Sequence, residues 1–164
     1  LHSALREDPD VILIGEMRDL ETVSIAVTAA EMGILVMGTL HTNGAAQTVD
    51  RIVNSFPTDK QSHVRTMLST SLRGVISQQL VPRKGEPGLV AALEILVNTP
   101  AVANLIRQGK LDQLENAMQG GGRIGMRTMD SALKDLMDQG RISGKTAYEA
   151  ALEKRKFEDV KELN

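Results

Sequence analysis

Glu16 and His41 are the two residues of this chain whose types and settings point most directly to chemistry. Glu16 closes the apolar run Asp10-Val-Ile-Leu-Ile-Gly15, and His41 follows a second such run through Gly38-Thr39-Leu40. A carboxylate at the end of a buried strand can hold Mg²⁺ through water or orient an attacking water. The plainer alternative is a strand that ends in a solvated acid. A histidine flanked by Thr39, Thr42 and Asn43 is well placed to touch a phosphate, against the alternative of an ordinary structural imidazole.

Both residues depend on the elements that carry them. Val11 to Ile14, with no polar interruption, predicts a strand buried on both faces, as parallel sheets require. Asp19 suits the N-cap of a helix from Leu20 to about Met32, with Glu21 in its first turn and Gly33 placed to stop it. Ile34 to Met37 then predicts a second strand. Strand, helix and strand in this order place the two strands parallel in one sheet, so Glu16 and His41 emerge at the same edge.

Residues 5–33 (LREDPDVILIGEMRDLETVSIAVTAAEMG) and 34–57 (ILVMGTLHTNGAAQTVDRIVNSFP) resemble the Walker-B and His-box segments of the secretion-superfamily ATPases. Within that superfamily the chain looks most like the PilT-type ATPases, which retract type IV pili in twitching motility. The resemblance runs to about residue 157. Residues 101–108, Ala-Val-Ala-Asn-Leu-Ile-Arg-Gln, are similar to the AIRNLIRE motif of retraction ATPases, differing at Val102, Ala103 and Gln108. Ile34 stands where the His box usually has its first histidine, and His41 keeps the second.

The resemblance implies roles. Glu16 would be the Walker-B acid supporting Mg²⁺ and the attacking water, His41 would sense the γ-phosphate of ATP, and Thr42 would assist it. Arg18 would join the nucleotide edge, and Arg18 and Asp19 would pair there or across a subunit boundary, with a solvated ion pair as the alternative. Arg6 and Arg51 are further candidates for a subunit interface or the plain surface. Asn104, Leu105, Ile106 and Arg107 would couple the motor to pilus disassembly. His2 and His63 receive no role. The implied assembly is a cytoplasmic homo-hexamer, held at the inner membrane peripherally through a platform protein of the pilus.

The chain opens at Leu1, just upstream of the Walker-B-like strand. That leaves no room for the phosphate-binding loop, for the family's acidic box, or for the arginines of the N-terminal domain. The expectation is therefore a C-terminal portion of a longer polypeptide, inactive in ATP hydrolysis by itself. Gly144-Lys145-Thr146 imitates the end of a phosphate-binding loop, but Gln139 stands where its first glycine belongs and no strand precedes it. Ser143 reads instead as a helix cap. Gly120, Gly122 and Gly125 match G-x-G-x-x-G yet follow a helical stretch, so a flexible loop accounts for them better.

The expected fold is α/β: residues 1–97 form part of a RecA-like ATPase core, a parallel sheet plus a hairpin, and residues 98–164 a helical region. Val49, Ile52, Val53 and Phe56 define one face of a helix ended by Pro57. Val64 to Ile76 predicts a longer helix capped by Thr58 or Asp59, and Leu80–Arg83 and Leu89–Val97 predict two strands. Thr99-Pro100 is a strong helix start, and the pattern stays helical from there, broken at Gly109, Gly120–Gly122 and Gly140. On that helix Val102, Leu105 and Ile106 should face inward.

Composition narrows the classes further. Nineteen Lys and Arg against 21 Asp and Glu give a net charge of −2, which offers no bulk attraction for nucleic acid. There are no cysteines, so disulfides are excluded, as is the tetra-cysteine zinc motif usual in pilus-extension and type II secretion ATPases. A pilus-assembly or type II secretion ATPase remains the alternative motor. A non-catalytic interaction module at the pilus base is the alternative from another class, and a RecA-type recombinase comes last.

Overall fold

The computed structural model describes residues 7–163. Arg6 and His2, singled out above, lie outside them. Two compact units account for the chain: one holds the described part of Leu1–Thr42 with Ala46–Gly74 and Asn98–Ala117, the other Asn43–Ala45, Val75–Val97 and Met118–Asn164.

The first unit begins with β1 (Val11–Ile14), α1 (Leu20–Glu31) and β2 (Leu35–Gly38). β1 and β2 pair in parallel, from Val11 opposite Leu35 to Ile14 opposite Gly38, as the crossover helix requires. Asp19 caps α1 by accepting the Thr22 N–H at 2.8 Å, and Gly33 leaves the helix at φ +94°, a conformation that favours glycine. Ile12 and Ile14 pack with Ala26 and Ala29 of α1. The expectation of a strand buried on both faces is corrected: Val11 and Leu13 are 49% and 73% exposed. Helix α1 covers one face of the pair, and among the described residues nothing covers the other.

Helix α2 (Ala45–Asn54) follows, burying Val49, Ile52 and Val53, and α3 (Thr58–Ser71) buries Val64 and Leu68. The cap of α3 is not Thr58 or Asp59 but Pro57, with no side-chain hydrogen bond; its fixed φ of −55° sets the turn instead. Helix α3 also stops short of its predicted end. Val75 and Ile76 belong to the next strand, because Leu72 turns extended and the β-branched pair suits a sheet better than a further helical turn. Helix α4 (Pro100–Gln108) packs on α3 and carries the retraction-like motif. Thr99 caps it, Gly109 ends it at φ +70°, and Val102 and Ile106 are fully buried. Leu105, expected inward with them, is only half-buried. Asn104 and Arg107 are exposed, and Asn104 accepts a hydrogen bond from Gln108 at 3.2 Å.

The second unit is built on the hairpin of β3 (Gly74–Pro82) and β4 (Leu89–Val97), joined by a connection short enough only for antiparallel strands. Its core gathers Val81, Val90 and Ala92 with Leu133 and Leu136 of a helix over Met129–Asp138, Ala147 of a helix over Gly144–Ala150, and Phe157. With α5 (Leu114–Gly120) preceding them in the chain, these two helices are α6 and α7. Gly122–Ile124 is a 3-10 turn rather than a loose loop, folded so that a Cβ on Gly121 would lie 2.5 Å from Met126. Residues Lys154–Val160 are 3-10 as well. Ser143 caps α7 by accepting the Thr146 N–H at 3.0 Å, so Gly144-Lys145-Thr146 is a helix start. The outcome is the α/β arrangement of parallel sheet, hairpin and helices expected from the sequence.

Candidate functional site

Beyond their ladder, β1 and β2 are stitched together where the candidate residues emerge. The Thr39 hydroxyl donates to the Gly15 carbonyl, and the Met17 N–H donates to the Thr39 carbonyl at 3.0 Å. Thr39 thus brackets Glu16 from both sides. Gly38 fits here because a Cβ would meet Met17 at 2.9 Å, so the two loops can lie flat against each other.

Held this way, Glu16 and His41 meet. His41 Nε2 lies 2.9 Å from Glu16 Oε1, and Arg18 Nε lies 2.5 Å from the same oxygen. The Glu16 side chain is 27% exposed, against 77% for Arg18 and 81% for His41, so the acid is recessed beneath two cationic or proton-bearing groups. The Arg18 guanidinium holds the Glu16 carboxyl below the usual carboxylate range, with His41 adding to the effect against partial desolvation. Arg18 therefore pairs with Glu16 and not with Asp19, which is occupied in capping α1.

These residues line a cleft of about 520 Å³ together with Met17, Leu40, Thr42 and Arg51. Thr42 shares a 2.8 Å hydrogen bond with the buried Thr48 of α2, which ties the strand end to that helix. Arg51 was expected at a subunit interface or on the surface; the structure puts it in the cleft. The signal was available in part, since Val49, Ile52 and Val53 turn the apolar face of α2 away from Arg51. Asn104, Leu105, Ile106 and Arg107 lie on α4 and line no part of the cleft. His63 is exposed on α3.

The donor set suits particular ligands. One carboxylate oxygen of Glu16 is engaged by Arg18 and His41; the carboxylate and the Thr42 hydroxyl are hard oxygen donors of the kind Mg²⁺ accepts, directly or through water. Arg18 and Arg51 supply positive charge, and together with His41 they offer the N–H donors that phosphate oxygens take. The arrangement fits a magnesium-bound polyphosphate at the open end of the parallel strands.

Comparison with known proteins identifies the family. Residues 1–87 match the family model of the type II/IV secretion system protein. The chain belongs to this family. It is 56% identical over 151 residues to the type IV pilus retraction ATPase PilT of Pseudomonas aeruginosa, covering 92% of this chain and 44% of that protein. A twitching motility protein of Neisseria gonorrhoeae is likewise 56% identical, with 92% of this chain and 40% of its own length covered. Among solved structures, the pilus retraction motor PilT with bound ADP superposes with a TM-score of 0.86 at 49% identity, over 96% of this chain and 44% of that one. The chain spans about two fifths of the length of these relatives, so it corresponds to part of what they contain. Among the described residues no helix is long and apolar enough to cross a membrane.

Proposed function

We propose that this chain supplies one edge of the nucleotide site, and the coupling helix, of an ATP-hydrolysing motor that retracts type IV pili. The observation that carries the reading is the meeting of Glu16, Arg18 and His41 at the ends of two parallel strands, in a chain so similar to retraction ATPases. Glu16, with its charge held by Arg18, is the acid that orients the attacking water and would hold Mg²⁺. His41 and Thr42 contact the γ-phosphate of ATP, and Arg18 and Arg51 balance its charge. Mg²⁺, when bound, neutralises the charge that develops on the transferring phosphate.

In this reading residues 1–97 are the C-terminal part of the ATPase domain and residues 98–164 the partner-facing region. Asn104, Leu105, Ile106 and Arg107 of α4 transmit the hydrolysis step, Ile106 as the buried anchor and Arg107 as the exposed contact. The working form is a cytoplasmic homo-hexamer, peripheral at the inner membrane through a pilus platform protein.

Glu16→Gln in the full-length protein tests the site. The amide keeps the shape and loses the charge, so nucleotide should still bind while turnover falls on the order of 10²-fold or more. Normal turnover in that variant, measured by phosphate release, would reduce Glu16 to a solvated acid at a strand end.

A further inference from the structure

Glu94 is a buried acid that the mechanism above does not use. It sits on the inward face of β4 at 3% exposure. Its Oε1 accepts the Ala45 N–H at 2.7 Å and its Oε2 accepts the Met129 N–H at 3.2 Å. Ala45 and Met129 are the first residues of α2 and α6, so one carboxylate satisfies N–H groups at two helix starts that have no partner within their own helices. Beside it, the Gly44 N–H donates to the buried Ser77 Oγ of β3 at 2.9 Å. Gly44 has φ +100°, and a Cβ there would come to 3.4 Å from Glu94 Oε1, so a glycine is what lets the backbone turn against the acid.

The short segment Asn43–Ala45 is consequently part of the hairpin unit, although the chain on either side of it belongs to the other unit. His41 and Thr42 stand immediately before it. We propose that Glu94, assisted by Ser77, is a positioning residue for the nucleotide site: by mooring Gly44 and Ala45 to the hairpin it fixes where His41 and Thr42 are held. This inference rests on the ATPase reading, and its test separates the two.

The test uses the full-length protein and compares Glu94→Gln, Ser77→Ala, Asp130→Asn and Glu16→Gln. Glutamine at 94 offers one carbonyl oxygen to two N–H groups, so one is left facing an amide NH₂. Ser77→Ala removes the second mooring with little change in volume, and carries the test if Glu94→Gln fails to fold. Asp130 is the structural control. It is equally buried, belongs to the same unit and accepts two backbone N–H groups, from Leu152 at 2.8 Å and Glu153 at 3.1 Å, but holds nothing next to His41.

Glu94→Gln and Ser77→Ala are each expected to lower kcat by roughly tenfold while KM for ATP stays within about twofold, the mark of misplaced reacting groups. Both should also speed amide hydrogen exchange at residues 43–45. Asp130→Asn should lower the melting temperature with kcat and that exchange unchanged. Faster exchange at 43–45 with wild-type kcat overturns the proposal, as does unchanged exchange, or an equal loss of kcat in Asp130→Asn. An absence of ATP turnover in the wild-type protein would instead sink the ATPase reading, and the exchange data would still decide whether the mooring exists.

Discussion

Gly144→Ala sets two physical effects against each other at one atom. Gly144 opens α7, and a helix interior prefers alanine to glycine by about 1 kcal/mol. Propensity alone therefore predicts a more stable protein. Packing predicts the reverse, because a Cβ at Gly144 would lie 2.1 Å from the Val160 carbonyl oxygen and 3.0 Å from both Val160 C and Val160 Cβ. The closest approach is roughly 1 Å short of ordinary contact, and the obstacle is backbone, which cannot rotate aside. The chain just beyond Val160 is also held by the Lys145 N–H donating to the Leu163 carbonyl at 3.1 Å, so relief of the clash strains that bond too. Overpacking of this kind costs about 1–3 kcal/mol, and a lost hydrogen bond about 1 more. The clash outweighs the propensity gain, and for a domain of this size the melting temperature should fall by about 3–10 °C. Thermal unfolding followed by circular dichroism is the assay, with Gly120→Ala as control because a Cβ there meets nothing within 4 Å. An unchanged or raised melting temperature in Gly144→Ala would refute the close packing of α7 on residues 154–160.

Two further outcomes are expected. Arg107→Ala in the full-length protein should leave nucleotide binding and ring assembly intact while impairing retraction in a twitching assay; normal retraction would make Arg107 an ordinary solvated charge, and lost ATP binding would mean that α4 reaches the active site. The Asp19 carboxyl is held below its ordinary value by the backbone N–H and hydroxyl of Thr22. Its cap therefore stabilises α1 fully above about pH 3.9, the unfolded value, and that contribution fades as pH falls through the lower folded pKa. Asp19→Asn should cap without this acid dependence, and an Asp19 titration midpoint at or above the ordinary value, read by NMR, would contradict the cap.

What the sequence disclosed follows the range of the forces involved. Asp19, Gly33, Thr99, Gly109 and Ser143 act within a few residues of themselves, and each does in the structure what its local pattern predicts. The end of α3 was missed because Val75 and Ile76 continue a helical spacing from Val64, Leu68 and Leu72, and only the Arg73-Gly74 break argued otherwise. Two-sided burial of β1 was inferred from apolarity alone, which says what a face prefers and not what covers it. Glu94 left no trace in the sequence: a lone acid in an apolar strand gives no hint that backbone N–H groups far off in the chain converge on it. Arg51 and the Thr39 clamp likewise depend on loops that meet only after folding.

The packing of α7 also determines what light can report. The chain has no tryptophan and a single tyrosine, Tyr148. That ring lies partly buried against the core of the hairpin unit, with Lys154 Nζ 5.4 Å from its centroid. Tyrosine emission from this chain is thus the signal of one spot, where α7 meets the 3-10 segment. It will register loosening of that corner and stay silent while β1, α1 and the Glu16–His41 cleft open. A tryptophan placed near the cleft and excited beyond the tyrosine band would give the nucleotide edge of this chain a colour of its own.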